Sequence, residues 1–451
     1  MPNRRLLWGV ALLGAALPPI AARANRPRAT RDQVAPAERH IQPDRLRQTL
    51  EKLSEFGRNA DGGVTRLGFS DADMAARQWL MGLMRDAGLA VRVDPAGNIF
   101  GHRDGRENLP VLLFGSHIDS VPHGGNFDGD VGSLGALELL RALAEHQIVT
   151  RHPLEMVIWT NEEGHNFSQA TLGSAAAAGL LPADMLERRD DQGITLADWL
   201  RRYGQDPVHF ADARIPPGRV AGYLELHIEQ GANLEEAHIP IGVVEGIVGI
   251  RWWDCTATGF ANHAGTTPMN RRQDALLAAS RAALALREEV RAEPGRQVGT
   301  VGYMKIEPGA RNIIPGRVVF PIELRDLDDA KIGRIWARIQ TRFAAIAAEE
   351  HVAIACSDIS HDLPAKANPA FQQAVRDAAR AAGLATMDLP SGAGHDAQNV
   401  AHFAPMGMIF VPSRGGISHS PKEFTSWDDV ANGAEVLYRA ILLLDERLNA
   451  R

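Results

Sequence analysis

The chain has 451 residues, of which 45% are hydrophobic and 23% charged, with 43 glycines and 26 prolines. This is globular composition, long enough for two or three hydrophobic cores, and it excludes a disordered chain, a collagen-like repeat and a coiled coil. Lys and Arg total 48 against 55 Asp and Glu, a net charge of −7 that gives no basic footprint for nucleic acid.

Arg4 and Arg5 precede an apolar run over residues 6–17, followed by Pro18, Pro19 and the small-residue pattern Ala22-Arg23-Ala24. That order reads as an export signal over residues 1–24. The paired arginines point to the twin-arginine route and a periplasmic or exported protein; without a functional signal the protein would be cytoplasmic. The run is short for a membrane span, and no later stretch reaches roughly eighteen uninterrupted apolar residues, so no stable membrane insertion is expected. From residue 43 the pattern turns helical, and residues 89–100 read as strands around a turn at 95–98. Residues 111–114 form a continuous apolar run typical of a strand buried on both faces. A helix follows at 134–143, a second buried strand at 154–160 and a small-residue stretch at 173–179. This alternation predicts an α/β fold with a mostly parallel central sheet flanked by helices and functional groups at strand ends.

A second unit begins after Val243, with strands at 248–258, 297–306, 318–325 and 352–358 and helices at 274–291 and 328–349. The resulting β-α-β-β-α-β order predicts an inserted two-layer α+β domain of ferredoxin-like kind. Pro321 lies within one of these strands, which predicts an edge position or a bulge there. A helix at 369–382 and a strand at 408–411 return the chain to the first unit. The expected division is therefore a catalytic domain in two parts, 43–243 and 361–451, around an insert at 244–360.

Cys255 and Cys356 are the only cysteines, enough for one bridge and too few for a thiolate metal cluster, so any metal would need His and carboxylate ligands. His117 directly follows the buried strand at 111–114. A histidine there can present one ring nitrogen to a metal while Asp119, two residues on, takes the other ring N–H and fixes the tautomer. Asp128 lies between Gly124-Gly125 and Gly129, whose conformational freedom lets the backbone turn and aim the carboxylate inward. Taken alone, a His-x-Asp pair is ordinarily structural. Glu162 and Glu163 follow the second buried strand, and adjacent side chains in extended backbone point different ways. One acid can then hold metal while the other moves a proton. His227 and His419, both in glycine-punctuated segments, add two nitrogens. The five ligands make a mixed N/O set for two divalent cations.

In this order the segments resemble the dinuclear-metal amidohydrolases that include N-carbamoyl-L-amino acid hydrolase, β-ureidopropionase and allantoate amidohydrolase, relatives of the aminoacylase and glutamate carboxypeptidase metallopeptidases. The resemblance runs from about Pro43 to the C terminus. It implies that Asp128 bridges two divalent metal ions, that His117 and His227 complete one coordination sphere, and that Glu163 and His419 complete the other. His227 separates this branch from the carboxypeptidase relatives, which have a carboxylate there. Zinc is the foremost metal, and manganese, cobalt and nickel suit the same donors. Glu162 corresponds to the general base, taking a proton from a water shared by the two ions and passing it to the departing nitrogen.

The resemblance also implies substrate contacts from Gln230, His263, Asn312, Arg325 and His395. An arginine beside an asparagine suits a carboxylate, and His263 can donate to the oxyanion, joining Glu162 and Asp119 as a catalytic candidate. Some of these groups reach in from a partner subunit in the family, so a homodimer through the inserted lid and dimerisation domain is implied. Two departures stand out: Asn166 occupies a position where the family often has arginine, and Asp130 one where an apolar residue is usual. The expected reaction is metal-dependent hydrolysis of a linear carbamoyl or ureido C–N bond in a small carboxylate-bearing substrate of the N-carbamoyl-L-amino acid type. Allantoate hydrolysis needs the same metals and clamp. A dipeptidase or N-acyl amino acid hydrolase, and a catalytically silent binding protein of the same fold, are the remaining alternatives.

Overall fold

Residues 39–448 are described by the computed structural model; the expected export signal lies outside them. Helix α1 (Pro43–Leu53) starts with proline in its first turn, and α2 (Asp71–Asp86) is capped by the Ser70 side chain, which accepts from the Asp73 N–H. Strands β1 (Ala90–Val93) and β2 (Ile99–Arg103) form an antiparallel hairpin. Strand β3 (Val111–His117), helix α3 (Asp130–Glu145) and strand β4 (Leu154–Trp159) make a parallel crossover, and every residue of both strands is buried. Continuous apolar runs of this kind are what a strand covered on both faces requires. Helices α4 (Leu172–Ala178) and α5 (Leu196–Arg202) lead to β5 (Val220–Ile228), α6 (Asn233–Ala237) and β6 (Ile241–Ile247).

The next stretch comprises β7 (Gly249–Thr258), β8 (Asn262–His263), α7 (Ala275–Ala292), β9 (Val298–Val301), β10 (Lys305–Glu307), β11 (Ile313–Ile314), β12 (Arg317–Asp326), α8 (Asp329–Glu349) and β13 (Ala353–Asp362). The chain finishes with β14 (Ala365–Lys366), α9 (Pro369–Ala381), β15 (Thr386–Ser391), α10 (Asp396–Val400), β16 (Met406–Val411) and α11 (Trp427–Arg447).

The larger sheet runs β1-β2-β4-β3-β5-β16-β6-β14, with β15 beside β6. Its centre, β4-β3-β5-β16, is parallel, while both flanks contain antiparallel pairs. Leu46, Leu80, Leu137, Phe371 and Leu437, from α1, α2, α3, α9 and α11, share one core with one face of this sheet. Ala177, Ala397 and Val400 belong to a second core with Val157, Tyr223 and Phe410. From β3 the chain passes to β4 on one side and later returns to β5 on the other. The crevice beyond the carboxyl ends of β3 and β5 is thus a topological switch point, where open α/β sheets bind ligands.

The second sheet is antiparallel, in the order β10-β12-β7-β13 with β9 also beside β12. Alternate residues of its strands, among them Trp253, Cys255, Phe320 and Ile322, pack with Ala282 and Leu286 of α7 and Ile335 and Ile339 of α8. Cys255 and Cys356 sit opposite one another on β7 and β13 and form a disulfide. Two expectations are corrected here. Residues 297–306 form two short strands rather than one, and Pro321 lies in an interior strand with unbroken register against β7. The neighbour on the other side is what breaks: β10 pairs with residues 317–319 and β9 with residues 322–325, so Pro321 falls in the gap between them. That gap admits a residue without an N–H to the sheet interior. The expected boundary at 243/244 falls inside β6, which stays paired in the larger sheet to Ile247. Among the described residues, no helix is long and apolar enough to cross a membrane.

Candidate metal centre

His117 is the last residue of β3. Its Nδ1 lies 3.0 Å from the Asp119 carbonyl oxygen, and its Nε2 lies 3.8 Å from Asp128 Oδ1. His227, near the carboxyl end of β5, has Nδ1 2.9 Å from the Ile228 carbonyl and Nε2 3.1 Å from the same Asp128 oxygen. With each Nδ1–H directed to a carbonyl, each Nε2 presents its lone pair towards Asp128. The other carboxylate oxygen of Asp128 faces His419, whose Nε2 is 3.2 Å from Oδ2 and 3.4 Å from Glu163 Oε2. Two donor triads result, His117–Asp128–His227 and Asp128–Glu163–His419, and within each the ligand atoms lie inside 4.8 Å of one another. The Nε2 of His227 is buried yet makes no hydrogen bond. An orphaned nitrogen among mixed nitrogen and oxygen donors is what a divalent cation would satisfy, so the residues present fit such ions.

Electrostatics follow from burial and crowding. Burial lowers His117 to about 4. Burial acts in the same direction on His227, but the adjacent Asp128 outweighs it and lifts that ring to about 9. Burial also raises Asp128, yet His227 and His419 beside it hold it well below the usual carboxylate range. Glu162 and Glu163 are both pushed well above the usual glutamate value, first by burial and then by neighbouring carboxylates. Divalent cations would favour ionised carboxylates and neutral rings throughout the cluster.

The local sequence makes room for this cluster. Gly129 has φ 66°, and a Cβ there would sit 2.4 Å from the His117 ring; a Cβ on Gly125 would sit 2.0 Å from a Glu423 oxygen. Glu423 is a buried residue that sequence reasoning misses. Its Oε1 accepts the N–H groups of Phe127 at 2.9 Å and Asp128 at 3.1 Å, while Oε2 accepts the Ser418 hydroxyl at 2.8 Å. It therefore holds the backbone that carries Asp128. Its one sequence signal is its place four residues after His419, and it reads there as an ordinary exposed acid.

Asp119 differs from expectation in its contacts. Its carboxylate lies 3.8 Å from His117 Nδ1 and instead accepts the backbone N–H groups of Glu162 and Glu163, each at 3.1 Å. The carbonyl orients the ring, and the carboxylate fixes the acid pair. Glu162 stands outside both triads, with Oε2 3.7 Å from His117 Nε2.

A cavity of about 260 Å³ opens over the cluster, lined also by Gln230, Arg325, His395, Thr171, Ala393 and Gly394. Gln230 donates from Nε2 to Asp128 Oδ2 at 2.7 Å. His395 is buried edge-on to His227 with ring centroids 4.5 Å apart, and its Nε2 is 2.8 Å from Ser391 Oγ. Burial, reinforced by His227, holds His395 well below the usual histidine value. Arg325 reaches the cavity from β12 of the second sheet.

His263 and Asn312 are placed elsewhere. Both are exposed, at the β8–β11 pairing, and neither lines the cavity. His263 Nδ1 accepts the N–H groups of Gly265 at 3.0 Å and Thr266 at 3.1 Å. Asn166 donates to the Gly68 carbonyl at 2.6 Å and is also outside the cavity lining. Asp130 forms a buried pair with Arg66, whose Nη2 lies 2.8 Å from both carboxylate oxygens.

Residues 113–443 match the family described as Peptidase family M20/M25/M40. The chain is 43% identical to an N-carbamoyl-L-amino acid amidohydrolase from Geobacillus stearothermophilus over 89% of this chain and 98% of that protein. It is 34% identical to an allantoate deiminase from Arabidopsis thaliana, over 86% of this chain and 81% of that one. A crystal structure of an amidase of the hydantoinase/carbamoylase family from Burkholderia multivorans superposes with a TM-score of 0.85 at 40% identity, covering 89% of this chain and 98% of that chain. With ligand triads at a sheet switch point and similarity of this extent, the chain belongs to the M20/M25/M40 peptidase family, as a hydrolase of the branch that includes N-carbamoyl-L-amino acid amidohydrolases and allantoate deiminase.

Proposed function

We propose that the protein hydrolyses a linear carbamoyl or ureido C–N bond in a carboxylate-bearing substrate of the N-carbamoyl-L-amino acid type. The observation that carries this reading is the pair of ligand triads sharing Asp128 beneath one cavity that also holds Glu162 and Arg325. His117 and His227 would hold one divalent cation, Glu163 and His419 the other, with Asp128 common to both; zinc leads, and manganese, cobalt or nickel suit the same donors. When bound, the ions supply Lewis acidity, polarising the substrate carbonyl and acidifying the water that attacks it. Glu162 belongs to neither triad and is free to take the proton of that water and deliver it to the departing nitrogen. Asp119 keeps Glu162 in place through the backbone, and Gln230 steadies Asp128 from the cavity side. From the cavity wall the Arg325 guanidinium pairs with the substrate carboxylate.

The second sheet, with its helices on one face and its 4-1-3-2 order when β9 and β10 count as one strand, is read as an inserted ferredoxin-like lid domain. His263 and Asn312 are exposed away from their own chain's cavity, which supports a homodimer in which the β8–β11 pair serves the partner's site. The Cys255–Cys356 bridge accords with export to an oxidising compartment.

Metal-loaded protein offered N-carbamoyl-L-amino acids, allantoate and dipeptides tests the substrate class by release of ammonia or free amine. Ammonia with free L-amino acid is the expected result, and release from dipeptides alone overturns it. Allantoate is the second reading, favoured by the relative of that name, and preferential turnover of allantoate in the same panel would select it.

A further inference from the structure

We propose that Glu323 is a positioning residue for substrate recognition: it locks the Arg325 guanidinium so that an outer pair of N–H groups is left for the substrate carboxylate. This rests on the carboxylate-clamp reading above. Along β12 the side chains alternate, with Ile322 and Leu324 buried in the core beneath α7 and α8 and Glu323 and Arg325 sharing the opposite face. Glu323 takes the Nε–H of Arg325 at 2.7 Å and an Nη2–H at 3.0 Å, and the Gly392 carbonyl takes an Nη1–H at 2.6 Å.

A guanidinium has five N–H donors in a fixed plane. With these three committed, one N–H remains on each terminal nitrogen, a fork matched to a carboxylate. Glu323 and Gly392 thus set the plane and rotation of the fork before substrate arrives. The neighbouring Ala393 and Gly394 line the same cavity, so the Gly392 contact also ties the clamp to its wall. Without Glu323 a long, rotamer-rich side chain would have to be ordered at each binding event. Because Glu323 already neutralises Arg325, recognition relies on directed N–H groups more than on net charge.

Kinetics of the metal-loaded enzyme test this, using the carboxylate substrate that the wild type turns over best and its carboxamide counterpart, the latter as substrate or competing inhibitor. Glu323→Gln preserves shape and is expected to raise KM for the carboxylate about tenfold with kcat within about twofold, leaving carboxamide binding unchanged. Glu323→Asp restores the charge and recovers part of the affinity. An unchanged or lowered KM in Glu323→Gln overturns the inference, the lowered value marking Glu323 as a competitor of substrate; so does a fall in kcat at constant KM. Arg325→Ala separates the two levels of the proposal. If it raises KM while Glu323→Gln does not, only the positioning role fails; if it leaves KM unchanged, the carboxylate clamp itself fails and the inference with it.

Discussion

His117, Asp128 and His227 are buried around the carboxyl ends of strands in the larger sheet, whereas His263 and Asn312 stand exposed at the short antiparallel pairing of β8 with β11. Around the first group every supporting contact is internal: carbonyls hold the ring nitrogens, Glu423 holds the backbone of Asp128, and Asp119 holds the acid pair. Around the second, His263 accepts two N–H groups from its own loop, and neither residue lines the cavity over the cluster. The contrast separates a cluster completed within one chain from groups that stand outside its cavity. Arg325 lies between the two extremes, carried by the second sheet but anchored to the first through Gly392.

The contrast is broken most sharply at Asp128. If one carboxylate serves two cations, Asp128→Asn should lose both and abolish turnover, while His419→Ala should lose one ion and retain the other. Elemental analysis of the purified proteins decides between these outcomes; equal metal content in Asp128→Asn and wild type would remove the shared carboxylate. Next in size is Glu162→Gln. It should leave metal content unchanged and lower kcat by about 10²–10⁴-fold, the range of positioned proton transfer. Retained activity would take Glu162 out of the base role.

How much of this is legible in the sequence depends on what each element buries. Strands β3 and β4 announce themselves because their runs are almost wholly apolar, and His117 and the Glu162–Glu163 pair are conspicuous as polar residues where such runs end. Strand β5 is obscured because Glu225 and His227 are buried polar residues within it, interrupting the pattern that marks a covered strand. Strand β15 is similarly hidden by Asp388 and Pro390. Glu423 is illegible because its importance lies in accepting two backbone N–H groups from a distant loop, which no local pattern encodes. Convergence of Asp128 with His419 is a property of the switch point, and the family resemblance conveyed it where residue spacing did not.

One of the two departures from the family pattern, Asp130, lies on the buried side of this contrast. Asp130 begins α3 two residues after Asp128, and its carboxylate is wholly engaged by Arg66, which also donates to the carbonyls of Leu53, Phe56 and Ile118. Asp130→Ala leaves Arg66 as an uncompensated buried charge, and removal of one partner of such a pair costs about 3–5 kcal/mol. Denaturant unfolding should therefore show a large loss of stability. An apolar replacement of both residues together should restore much of it, since the charge and its partner leave at once. A small loss in the single variant would mean that water reaches the pair.

The smallest expected signal comes from the exposed β8–β11 pair, and it distinguishes action within a chain from action across a dimer. His263→Ala and Glu162→Gln should each be nearly inactive alone if both residues serve catalysis. Suppose the two variants are co-expressed and assemble at random. If His263 serves its own chain, a mixed dimer contains one site lacking the base and one lacking the histidine, and activity stays low. If it serves the partner, the chain with intact Glu162 receives an intact His263 from the other chain, so each mixed dimer has one complete site. Half of random dimers are mixed and half of their sites are complete, so about a quarter of wild-type activity should return. Activity no higher than that of the separate variants would place His263 with its own chain, and would require the second sheet to swing towards the cavity before the histidine touches substrate.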